Sequence, residues 1–132
     1  MIVVDTNVIT YLILAGPNTQ LAREAAHKDT WCAPLLWRSE FRSVLAIAIR
    51  QSGMELATAA EAMARAERLL FNHEYSVRST SVLSCITRSR RSAYDCEFVA
   101  LAEDFGAQLL TTDEPIIRDF PRIAIHLRDY VR

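Results

Sequence analysis

The chain has 132 residues, 51% of them hydrophobic and 23% charged, with a net charge of −1. That balance excludes a disordered chain and a generally basic surface, so a nucleic-acid partner would have to be held by a local basic patch. Three cysteines with no C-x-x-C pair argue against a disulfide framework and a cysteine zinc site, and suit buried thiols in a reducing cytosol.

The length suits one domain over residues 1–132, with no linker, low-complexity tract or repeat to divide it. Ile2–Asp5 is short, apolar and β-branched, which predicts a buried parallel strand. The stretch 7–14 predicts a short helix closed by Gly16–Pro17, and Thr19 predicts the cap of a second. Trp31–Ala33 predicts the next strand. Pro34 is expected at the first position of the helix that follows, with Gly53 ending it. Residues 55–71 are Ala-rich and helical, and Glu74–Val77 is a third candidate strand. Ser79–Thr80 is expected to cap one helix and Ser92 another, the latter ending at Gly106. Gln108–Thr111 and Ile123–Leu127 complete five strands. Alternation of strands and helices predicts a parallel α/β sheet. The apolar run 8–15 lacks a basic leader, and no stretch reaches the roughly 18 apolar residues of a membrane span, so a cytoplasmic protein is expected.

Ligands of open α/β sheets bind beyond the carboxyl ends of the strands. Asp5 closes the first strand, and Asp113 follows the fourth at the same edge. Asp95 lies in the first turn of the helix leading into strand four. Glu40 lies in the first two turns of the helix after strand two. Four acids from remote parts of the chain therefore map to one edge. Such carboxylates repel one another unless a cation compensates, and an oxygen-only ligand set favours Mg2+ or Mn2+. Such ions activate water against a phosphodiester. Thr6, Asn7 and Thr111 are neutral neighbours able to orient carboxylates or water. Each acid alone also has a structural reading. Asp5 and Asp113 can cap helices or turns, Asp95 fits a capping box with Ser92, and Glu40 can be merely solvated.

MIVVDTNVI, the Glu40 of APLLWRSEFRSVLA and the block YDCEFVALAEDFGAQLLTTD resemble PIN-domain nucleases. The nearest similarity is to the VapC-type toxins of bacterial and archaeal toxin–antitoxin pairs, and it spans essentially the whole chain. It implies a three-layer α/β/α sandwich with a five-stranded parallel sheet. It also implies Mg2+- or Mn2+-dependent cleavage of RNA, often tRNA or rRNA, by homodimers that a cognate antitoxin silences. Asp5, Glu40, Asp95 and Asp113 match the family's acidic positions, the metal falling to Asp5, Asp95 and Asp113. Asn7 and Thr111 match its polar helpers. Many relatives carry a further acid shortly after the position of Asp113, where this chain has Glu114–Pro115.

The expectation is thus a metal-dependent endoribonuclease, the toxin of such a pair. The alternatives are a housekeeping PIN-type nuclease of RNA processing and a catalytically silent partner-binding domain. A phosphatase-like hydrolase is disfavoured, since D-T-N lacks the second acid of a D-x-D pair. Arg88, Arg90 and Arg91 precede Asp95 and are candidates for RNA phosphates, or a solvated basic helix end. His27, His73 and His126 share no ligand spacing.

Overall fold

The computed structural model describes residues 1–132. The elements in chain order are β1 (Ile2–Val4), α1 (Thr6–Ile13), α2 (Thr19–Lys28), β2 (Trp31–Pro34), α3 (Trp37–Ser52) and α4 (Leu56–Leu69). They continue with β3 (Glu74–Tyr75), α5 (Ser79–Thr87), α6 (Ala93–Phe105), β4 (Leu109–Thr111), α7 (Glu114–Asp119), β5 (Ala124–His126) and α8 (Leu127–Tyr130). The five strands form one parallel sheet in the order β3-β2-β1-β4-β5. Val3 pairs with Cys32 of β2 on one side and Leu109 of β4 on the other, so β1 is central.

The sheet reads as apolar because both its faces are covered. Helix α1 packs on α2, α3 and α4, while α6 lies against α5, β1, β2 and β4. The whole run Phe98–Ala102 of α6 is consequently buried. The three layers enclose one cluster of 31 buried hydrophobic residues, with Trp37, Phe41 and Phe98 its largest fully enclosed side chains. Gly53 and Gly106 end α3 and α6 at φ of 69° and 60°, a left-handed conformation that glycine adopts without steric cost. No helix is long and apolar enough to cross a membrane.

Three local expectations are corrected. Pro34 does not open a helix but closes β2, opposite Tyr75, and α3 begins at Trp37. Ala33 and Leu35 direct their N–H groups to β3, so the nitrogen of Pro34 faces the side of β1, beyond the paired residues, and no ladder bond is lost. Ser79 lies inside α5 rather than capping it. The start of α5 is tied to α6 instead, by Arg78 and Ser81 on the Asp104 carboxylate, 3.0 Å each. The short helices α7 and α8 were not expected. Asp113 caps the first by accepting from Ile116 N–H, and His126 Nδ1 caps the second by accepting from Arg128 N–H.

Candidate active site

Strand β1 lies where the chain changes direction across the sheet. From it the connections run outward through β2 to β3, and on its other side lie β4 and β5. The carboxyl ends of β1 and β4 therefore flank the switch point, where open α/β sheets bind their ligands.

Asp5 follows β1 directly and caps α1, its Oδ1 accepting the Thr6 N–H at 2.8 Å. Its Oδ2 accepts the Thr111 hydroxyl at 2.7 Å, which ties β1 to the end of β4. The same Thr111 oxygen accepts the Asp113 N–H at 3.0 Å, so one fully buried hydroxyl positions both acids. Thr6, also buried, donates its hydroxyl to Glu40 Oε1 at 2.7 Å and brings α3 to α1. Asp95 sits in the first turn of α6, its N–H bonded to Ser92 Oγ at 3.0 Å. The capping contact expected from sequence is thus present, and Asp95 reaches the cavity as well.

Asp5, Glu40, Asp95 and Asp113 all line one open cavity of about 500 Å3, together with Thr6, Asn7, Thr10, Tyr11, Ser43 and Val44. No lysine or arginine lines it. A larger hollow of about 630 Å3 lies by the start of β2, among Trp31, Arg68 and His73. It contains Asp29 alone among acids, and that residue is paired with the N-terminal amine.

The electrostatics follow from burial. Loss of water pushes the Asp5 carboxyl up to about 7; Glu40 and Asp95 add to the rise, while the bonds from Thr111 and Thr6 oppose it. Glu40 is raised by burial and by the charges of Asp95 and Glu97. Asp95 is raised by burial and by Asp113, with Arg91 and Ser92 pulling the other way. Asp5 and Glu40 take their hydrogen bonds from neutral donors, with no cationic side chain bonded to either.

The donor set fits a hard divalent cation that keeps much of its water. It is oxygen-only, carries an uncompensated negative charge, and includes a buried Asn7 Oδ1 with no hydrogen-bond partner beside Asp5. No three acidic side chains close on one point as a finished coordination shell. A cation held here would keep water in its remaining coordination positions.

The remaining residues are placed as follows. Arg88 is bonded to Glu103, with the shorter contact at 2.7 Å, on the α5–α6 side. Arg91 pairs with Asp119 at 3.0 Å and is near enough to Asp95 to lower its pKa. Arg90 is exposed and gives only its backbone N–H to Asp119. The three arginines are thus engaged differently, two by acidic side chains and Arg90 through its backbone alone. Glu114 is exposed and turned toward His126 and Arg128, at 3.8 and 3.6 Å, outside the cavity. Thr10, Tyr11, Ser43 and Val44 were missed from sequence. The signal was there: they stand three and four residues after Asn7 and Glu40, on the same helix faces.

Among curated proteins, none matches the chain in sequence. Among solved structures, FitAcB from Neisseria gonorrhoeae superposes with a TM-score of 0.77 at 14% identity, covering 97% of this chain and 99% of that one. FitAB bound to an IR36 DNA fragment gives a TM-score of 0.73 at 15% identity, covering 96% and 95%. These likenesses establish the fold. The profile of the PIN domain matches residues 2–124, and with the sheet order and the acidic edge already described, the chain belongs to the PIN-domain family.

Proposed function

We propose that the protein is a metal-dependent endoribonuclease, acting as the toxin of a toxin–antitoxin pair. The observation that carries this reading is the cavity of four carboxylates, contributed by four separate elements, with no lysine or arginine in its lining. Asp5, Asp95 and Asp113 would hold a Mg2+ or Mn2+ ion. When bound, such an ion supplies Lewis-acid polarisation of a phosphodiester and acidifies water. Thr111 fixes the orientation of Asp5 and Asp113, and Thr6 fixes Glu40. Glu40 is left outside that ligand set, and burial raises its proton affinity, which suits it to take a proton from the attacking water.

The toxin reading, with a cognate antitoxin and a homodimer in the cytoplasm, rests on the VapC-type resemblance of the acidic blocks. The relatives FitAcB and FitAB, similar over their full length, support the same placement. The test is incubation of purified protein with RNA in Mg2+ or Mn2+. Cleavage that EDTA abolishes is expected, together with growth arrest on expression that Glu40→Gln relieves. Full cleavage in EDTA would overturn the metal dependence, and no cleavage with either ion would overturn the nuclease. Cleavage without growth arrest would favour a housekeeping enzyme.

A further inference from the structure

Apart from Asp5, Asp95 and Asp113, the cavity is lined by two helices that both begin at the carboxyl edge of the sheet. Helix α1 presents Asn7, Thr10 and Tyr11, and α3 presents Glu40, Ser43 and Val44. In each helix these are positions i, i+3 and i+4, so each set is one stripe. From the acid-proximal residue to the last, each stripe extends about 6 Å along its axis. The outer half, Thr10, Tyr11, Ser43 and Val44, has two aliphatic hydroxyls, an aromatic ring and a branched aliphatic chain, and no charge.

From this geometry we infer a nucleobase subsite between α1 and α3, in which Tyr11 and Ser43 receive the base next to the scissile phosphate. This rests on the nuclease reading above and names what that site selects. A phosphate is poorly suited to the outer half, because no cation lines it. A flat heterocycle with hydrogen-bonding edges is well suited. Unstacked RNA bases are commonly held by stacking on aromatic side chains and by hydrogen bonds to their edges. Tyr11 is half-buried against the core and its hydroxyl is already bonded to Thr112 Oγ1 at 2.9 Å, so what it has to offer a ligand is the part of its ring that lines the cavity. The same bond ties the ring to the loop carrying Asp113, and so to the acidic end. Ser43 is exposed at the rim, where its hydroxyl can both donate and accept. The cavity, at about 500 Å3, is within the range of small-ligand sites, roughly 300–1,000 Å3.

The experiment uses the full chain with Mn2+ and an RNA pool carrying a randomised segment, with product ends sequenced. The parent is expected to favour particular bases beside the cut, on the order of 10-fold. Tyr11→Leu keeps apolar packing but removes the ring. It is expected to flatten that preference and to lower kcat/KM on the preferred sequence by roughly 5- to 100-fold. Tyr11→Phe removes the bond to Thr112 but keeps the ring, and is expected to retain the preference. Ser43→Ala, on an exposed helix position, is expected to shift which base is favoured. Loss of preference in Tyr11→Phe equal to that in Tyr11→Leu would make Tyr11 a tether for the Asp113 loop and overturn the subsite. So would a parent without base preference, or one whose preference survives both Tyr11→Leu and Ser43→Ala. A parent that cuts no RNA overturns the nuclease reading, and this inference with it.

Discussion

Replacing Asp5 by asparagine isolates the electrostatic strain of the site. In the folded chain the Asp5 carboxyl is raised from 3.8 to about 7, mainly by burial. A raised acid binds its proton more tightly folded than unfolded, so it weakens the fold as pH climbs from about 4 to about 7. The full effect is about 4 kcal/mol at 1.36 kcal/mol per unit, of which about 3 kcal/mol falls between pH 5 and pH 8. Asp29, Glu74, Glu103 and Asp104 have lowered values. Their stabilisation is present above the unfolded carboxyl range and is lost as pH falls, so they change little above about pH 5. Asparagine caps α1 as aspartate does but faces the Thr111 hydroxyl with an amide, which costs about 1 kcal/mol. Without metal, Asp5→Asn is therefore expected to match the parent near pH 5 and to exceed it by about 3 kcal/mol near pH 8. For a domain of this size that is about 10 °C in Tm. Melting curves in EDTA at about pH 5, 6, 7 and 8 measure it. A parent whose Tm stays level, or a variant whose Tm falls as steeply as the parent's, refutes the reasoning.

Asp95→Asn, without metal, is expected to melt at or above the parent temperature, because relief of repulsion from Asp113 outweighs a first-turn dipole term of about 0.3–1 kcal/mol. The stabilisation that Mg2+ or Mn2+ gives the parent should largely vanish in that variant, as thermal shifts with and without the ion will show. Thr111→Val removes the donor to Asp5 and orphans the Asp113 N–H, and should destabilise by about 1.5–3 kcal/mol at pH 8, with Thr111→Ser close to parent in denaturant titration. Arg90→Gln should weaken RNA binding and flatten its salt dependence. Arg88→Gln, whose arginine is engaged by Glu103, should leave the salt slope unchanged.

The acidic edge was legible because strand ends and helix starts are locally encoded. An apolar β-branched run ending in Asp5 fixes that acid at the edge, and a Ser92 cap fixes Asp95 in a first turn. The order of the strands was not legible, since each short run pairs equally well in isolation and the choice is made by packing across the sheet. Pro34 was misplaced because its fixed φ suits a helix start and a strand end alike, and only the missing neighbour on the β1 side decides. The three arginines looked like a patch because sequence adjacency does not show which acid each will meet. Glu103 comes from α6 and Asp119 from the end of α7.

The choice of threonine at positions 6 and 111 follows from what the site must avoid. A buried carboxylate needs a hydrogen-bond donor, and a lysine or arginine would provide one while also supplying a charge. An added cation would lower the Asp5 pKa and stabilise the fold, but it would occupy the place of the counter-ion. A hydroxyl orients the carboxylate without adding a positive charge, so burial still holds the Asp5 pKa near 7 despite two donors, and a bound cation would favour its ionised form. Where arginines form salt bridges with acids in this chain, as at Arg38–Glu74, Arg78–Asp104, Arg88–Glu103 and Arg91–Asp119, the acids lie outside the cavity. The fold thus separates its carboxylates into two populations. One is neutralised by arginine and ties elements together. The other lies at the switch point, where Asp5, Glu40 and Asp113 take their hydrogen bonds from threonine and backbone N–H groups, and its negative charge is the feature a divalent cation would complete.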